Sequence, residues 1–183
     1  MSNRLPLRRQ LATAWRETLE GPYRNQLINS ERGLQVHFCQ ALMKQFEQAG
    51  FNRRLFVEPT VIFAADDVRC PDLVICNSQR IIGVVEFKYA PRTFAEYSKD
   101  IDTLHRFVQH ADAIVLSNER FRGEGSPKSY SLADDAVLCW AAVYADSFIE
   151  IEHPNFAVLD GHFLRLDAIT HDSSSATVLD SVG

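Results

Sequence analysis

The stretch RCPDLVICNSQRIIGVVEFKYAPR, residues 69–92, sets Asp72, Glu86 and Lys88 among runs of Val, Ile and Phe. Two such runs, separated by the short polar segment 77–79, read as buried strands joined by a tight turn. A charge buried alone costs several kcal/mol, so each of the three needs a partner or a task. Side chains alternate across a strand. Ile82, Val84, Glu86 and Lys88 therefore share one face, and Ile81, Gly83, Val85 and Phe87 share the other. Counting back from a turn near Ser78 carries Asp72 to the level of residues 84–86. Two carboxylates and one ammonium then converge where the strand pair opens.

That grouping suits a hard cation. Mg²⁺ takes oxygen ligands and keeps several waters, so one or two carboxylates and a carbonyl suffice. Asp72 and Glu86 supply the carboxylates and the Phe87 backbone supplies the carbonyl. Lys88 lies where it can orient an attacking water, help its deprotonation or stabilise charge on a phosphate. The competing reading is an Asp/Glu/Lys ion cluster that holds strands together, for which apolar residues serve better.

Outward from this stretch the periods are clear. Leu11, Trp15 and Leu19 mark a short helix ended by Gly21 and Pro22. Ser30 is a natural N-cap for a second helix whose stripe is Leu34, Phe38, Leu42 and Phe46, closed by Gly50. Glu31 lies one turn before Leu34 on the inward face, as a site acid or as an acid complementing the helix dipole. Residues 54–64, RLFVEPTVIFA, are extended, with Pro59 confining them to an edge, a bend or two strands, and Glu58 on the first strand is a weaker site candidate. Thr93 and Glu96 predict a capping box for a helix striped by Phe94, Tyr97, Ile101, Leu104 and Val108, and a strand follows over 112–118. Residues 120–135 read as a Gly/Pro/Ser loop and AVLCWAAVYAD as a further strand. Asp160-Gly161 reads as a hairpin turn, and 171–183 as a frayed tail.

The order helix, three strands, helix, strand predicts an α/β (α+β) fold, with a mixed central sheet flanked by helices and extra C-terminal strands. Pro71-Asp72, thirteen residues, then Glu86-Phe87-Lys88 resembles the PD-(D/E)XK motif of the restriction-endonuclease-like nuclease superfamily. The resemblance implies an αβββαβ core, here residues 30–118, with the Asp opening the second strand and E-x-K ending the third. It implies Asp72 and Glu86 as metal ligands, Lys88 as the catalytic lysine and Glu31 as an auxiliary acid of the metal site. It also implies a Mg²⁺-dependent nuclease, with Mn²⁺ substituting and DNA favoured over RNA. A catalytically silent binding or scaffold member of the fold is the alternative, and a metal-dependent enzyme on another phosphate-bearing substrate is a third.

Composition bounds these readings. At 183 residues and 46% hydrophobic content, one domain over 1–170 is expected. No apolar run is long enough to span a membrane and no secretory signal is visible, which predicts a cytoplasmic protein without a membrane partner. Cys39, Cys70, Cys76 and Cys139 fit no zinc or redox spacing and read as reduced thiols. The net charge of −5 is uneven: residues 1–132 hold 18 basic against 15 acidic side chains, residues 133–183 one against nine. The first two thirds can thus face phosphates, with Arg53, Arg54, Arg120, Arg122 and Lys128 as candidate grips. His37 and His105 read as ordinary helix residues, and Tyr97 as core. A homodimer is expected if a duplex is to be enclosed.

Overall fold

A computed structural model describes residues 5–117 and 128–182. In chain order they form α1 (Leu5–Thr18), a π-helical turn (Leu19–Tyr23), α2 (Glu31–Gln48), β1 (Arg54–Val57), β2 (Thr60–Ala64), β3 (Asp67–Arg69), β4 (Leu73–Cys76) and β5 (Arg80–Ala90). Then come α3 (Ser98–Gln109), β6 (Ile114–Ser117), β7 (Lys128–Tyr144), a 3-10 turn (Phe156–Leu159), β8 (Phe163–Thr170) and β9 (Ala176–Asp180).

The sheet is mixed. β4 pairs antiparallel with β1 and β5, whereas β5, β7 and β8 run parallel to one another. β6 joins only the start of β7, and it carries β2 and β3 beside it. Two consecutive residues show how the layers stack. Phe87 meets Phe38 of α2 edge to face at 5.0 Å, and Lys88, on the opposite face of β5, reaches Asp100 of α3. On the α1 and α2 side, a Cβ at Gly83 would come within 3.3 Å of Leu7, so α1 packs directly on the β5 backbone there. Ser30 caps α2 through Gly33 N–H, and Gly50 at φ +68° ends it; the stripe Leu34, Phe38, Leu42 and Phe46 is buried as its spacing predicts.

Several expectations are corrected. Residues 54–64 form two strands, one of the outcomes that Pro59 allows, β3 adds a third that the sequence did not show, and Glu58 lies not on the first strand but in the break between β1 and β2 at φ +45°. The Thr93–Glu96 capping box does not form: α3 begins at Ser98 with Tyr97 as an N-cap whose side chain accepts no capping bond. Thr93 O instead accepts from Ala145 N, which ties this segment to the end of β7, and Phe94 is exposed. Of the expected loop 120–135, residues 120–127 (with Arg120 and Arg122) lie outside the described residues, and residues 128–135 are strand, because pairing of 128–130 with β6 and of 131–132 with β5 overrides their polar composition. The strand beside β5 is therefore β7, whose residues 137–144 extend the core well past 118.

Asp160-Gly161 joins no hairpin. Residues 156–159 coil into a 3-10 turn, and β8 then enters parallel to β7, held by the Arg8 guanidinium on the carbonyls of Gly161 and Phe163. The tail expected over 171–183 includes β9, paired antiparallel with β8. Asp172 organises the intervening turn by accepting from Ser174 N and Ser175 N, both at 2.8 Å. Among the described residues no helix is long and apolar enough to cross a membrane.

Candidate active site

A bulge places Asp72. Cys76 faces Ile81 but Ile75 faces Gly83, so Ile82 is an extra residue on β5. The register advances by one, Leu73 faces Val85, and Asp72 comes level with Glu86; without the bulge it would lie opposite Val85.

β5 also outruns β4, since their ladder ends at Leu73 and Val85. On that uncovered edge the N–H groups of Phe87 and Tyr89 need acceptors. Asp72 Oδ2 accepts from Phe87 N at 2.7 Å and Glu31 Oε2 from Tyr89 N at 3.2 Å. Gln35, one turn after Glu31 on α2, donates to Asp72 Oδ1 at 2.9 Å. A strand residue points its N–H and C=O to the same side, so the Phe87 carbonyl projects toward the Asp72 edge. Lys88 Nζ stands 3.4 Å from Asp100 Oδ2, which also accepts from Trp140 Nε1 at 3.2 Å. Glu86 is 6% exposed, and its Oε1 is a buried acceptor with no donor among the described residues.

Four carboxylates thus surround one ammonium. Burial raises the Asp72 carboxyl to about 6, with Glu31 and Asp100 adding repulsion against the Phe87 N–H bond that opposes the shift. Glu86 is driven well above the usual carboxylate range by burial, then by Asp72 and Asp100, and the Asp72 and Glu86 carboxyls hydrogen-bond to each other when one holds a proton. Asp100 is raised by burial, against Lys88 and Trp140. Burial tends to lower Lys88, but Asp100, Glu31 and Asp72 outweigh it and keep the side chain an ammonium.

These shifts set a pH dependence. Asp72 binds its proton more tightly in the folded state than in the unfolded one. Its contribution to stability is complete below about pH 4 and is lost as pH rises through about 6. Metal-free protein should lose on the order of 2–3 kcal/mol over that window, read as a falling urea midpoint from pH 4.5 to 7.5. The Asp72→Asn variant should flatten the fall, and an equally steep fall in that variant would refute the assignment. Asp172, held at about 2 by the 171–175 turn, loses its bonds only at lower pH and does not mask the trend.

Asp72, Glu86 and Lys88 come together as their spacing predicts. Glu31 stands alongside at the β5 edge, where its Oε2 accepts from Tyr89 N, and among the described residues no three His, Cys, Asp or Glu side chains form a ready cation cage. Two carboxylates, an oriented carbonyl and the orphaned Glu86 oxygen still fit a hard cation that completes its shell with water. Glu58 points elsewhere, to Arg32 at 3.6 Å. Tyr97 spends its hydroxyl on Glu152, His105 is buried without a bond to any site residue, and Arg53 stacks on Phe46 and Phe51. The cysteines form no disulfide among the described residues, and burial pushes the Cys39 thiol up to about 11.

Sequence reading missed Asp100 and Gln35. Both carry a usable signal: Asp100 precedes Leu104 and Phe107 at spacings of four and seven on the buried face of α3, and Gln35 follows Glu31 by four on α2. Compared with protein-family models, curated proteins and solved structures, the chain matches none.

Proposed function

We propose that this protein is a divalent-metal-dependent hydrolase of phosphodiester bonds, with DNA as its substrate, built on a restriction-endonuclease-like core. The observation that carries the reading is the buried Asp72–Glu86 pair, whose Glu86 Oε1 has no donor and beside which Lys88 is held as a cation. A fold that needed only mechanical strength gains nothing from a buried carboxyl with one oxygen left without a donor. The order α2, antiparallel β1, β4 and β5, then α3 and a strand parallel to β5 supports the same reading.

Asp72, Glu86 and the Phe87 carbonyl would hold the cation, which when bound supplies Lewis acidity at the phosphate and lowers the pKa of water. Asp72 is positioned for this by Gln35 and Phe87 N–H. Lys88, an ammonium in the metal-free site, meets the negative charge that grows on a phosphate under attack, and Asp100 aims it. Excess negative charge in the site, four acids against one lysine, opposes substrate phosphate until a cation offsets it.

A second reading, a non-catalytic binding protein on the same scaffold, is favoured by one observation: Asp72 and Glu31 already satisfy strand N–H groups. Cleavage of plasmid, linear and single-stranded DNA and of RNA with Mg²⁺ or Mn²⁺ separates the two, with Glu86→Ala as control. Wild type should cleave DNA only with the metal; no cleavage above the control on any substrate leaves the binding reading standing. Mn²⁺ should also raise the melting midpoint, and Asp72→Asn should lose that shift.

A further inference from the structure

Next to this site, the parallel strands β5, β7 and β8 all end on one cleft of about 860 Å³. Pro91 and Arg92 leave β5 there, Ala145 and Asp146 leave β7, and Thr170 to Ser173 leave β8. The carboxyl ends of parallel strands are where open sheets of this kind leave room for ligands. The facing wall is the connection from α1 to α2, with Tyr23, Gln26 and Asn29.

Three features mark the cleft as more than a gap between loops. Tyr23 is delivered into it by the π-helical turn, a local unwinding that α-helices seldom contain. Two of its lining residues, Gln26 at φ +58° and Asp146 at φ +74°, hold left-handed backbone that non-glycine residues seldom adopt. Arg92, Asp146 and Asn29 line it with side chains that make no hydrogen bond or ion pair among the described residues.

We infer that this cleft binds one unpaired nucleotide of the nucleic acid whose backbone crosses the Asp72–Glu86–Lys88 site. The inference rests on the proposed function for the identity of its ligand. Tyr89 joins the two places: it follows Lys88 by one residue, its N–H is held by Glu31, and its side chain lines the cleft. Lys88 and Tyr89 point to opposite faces of β5, so a chain passes from one to the other by rounding the end of the strand. Tyr23 is buried and forms the floor of the cleft, and the half-buried ring of Tyr89 offers apolar surface for a base, which stacks on aromatics whatever its sequence. Arg92 is an uncommitted cation for the adjoining phosphate, and Asn29 and Asp146 are uncommitted polar groups for a base edge. The volume exceeds what one nucleotide needs and lies within the usual range of small-ligand sites.

The test is binding in EDTA, so that turnover plays no part. Deoxynucleoside 5′-monophosphates and a fluorescein-labelled single-stranded dodecamer are titrated into wild type, Arg92→Ala and Asp146→Gly, the last keeping the left-handed backbone. Wild type should bind both probes and prefer the single strand to the matching duplex. Arg92→Ala should weaken the monophosphates about tenfold, and Asp146→Gly should change the order of preference among bases. Equal affinities in wild type and both cleft variants, or no mononucleotide binding at millimolar concentration, overturn the cleft assignment even if DNA is cleaved. Cleft-dependent nucleotide binding without cleavage of any substrate upholds it and rejects the hydrolase instead.

Discussion

In the Lys88→Ala variant of the proposed nuclease, Mg²⁺-dependent DNA cleavage should fall by a factor on the order of 10²–10³ while Mn²⁺ should still raise the melting midpoint. Lys88 stands 3.4 Å from Asp100 and is kept charged by three acids, so it is a fixed cation beside the carboxylate pair and not one of the groups that would hold the metal. Removing it takes away stabilisation of developing phosphate charge and leaves Asp72, Glu86 and the Phe87 carbonyl in place. Lys88→Arg keeps the charge but spreads it over a planar fork, and should restore only part of the rate. Single-turnover cleavage and thermal melts with Mn²⁺ read the two effects separately. Cleavage within threefold of wild type would sink the catalytic role of Lys88.

On the proposed function, Glu86→Gln should abolish metal-dependent cleavage and at the same time stabilise the metal-free protein. The carboxylate is nearly fully buried, faces Asp72, and has an oxygen with no donor. An amide of the same shape removes the repulsion and offers an N–H to Asp72. Relieving an unfavourable buried charge is worth roughly 1–4 kcal/mol, or on the order of 5 °C in the melting midpoint for a domain of this size. The gain should grow as pH rises, because burial and Asp72 make the wild-type Glu86 carboxyl costly to ionise in the folded state. A midpoint that falls in Glu86→Gln would mean that Glu86 is a structural member of an ion cluster, and the case for a functional site would go with it.

Legibility varies with the range of the forces involved. Alternation in IIGVVEFK is enough to put Glu86 and Lys88 on one face, because the pleat has a period of two whatever surrounds it. Ser30, Gly50 and the α2 stripe are equally readable, since capping and helical period act within a few residues. The segment 128–135 misleads for the opposite reason: its composition is that of a loop, and only pairing with β6 and then β5 makes it strand. Asp160-Gly161 carries the signature of a hairpin turn, yet β8 enters parallel to β7, a choice made by Arg8 across more than 150 residues of chain.

The candidate site divides along the same line. From the sequence alone come its members Asp72, Glu86, Lys88 and Glu31, because charges stranded in apolar runs are anomalies that need no coordinates to detect. Tertiary structure decides how they meet. The Ile82 bulge sets Asp72 level with Glu86, the overhang of β5 beyond β4 gives Asp72 and Glu31 their N–H partners, and the packing of α3 brings in Asp100, which no short motif contains. Register, edge exposure and helix docking are settled by contacts between distant segments, so they leave no periodic mark in the chain itself.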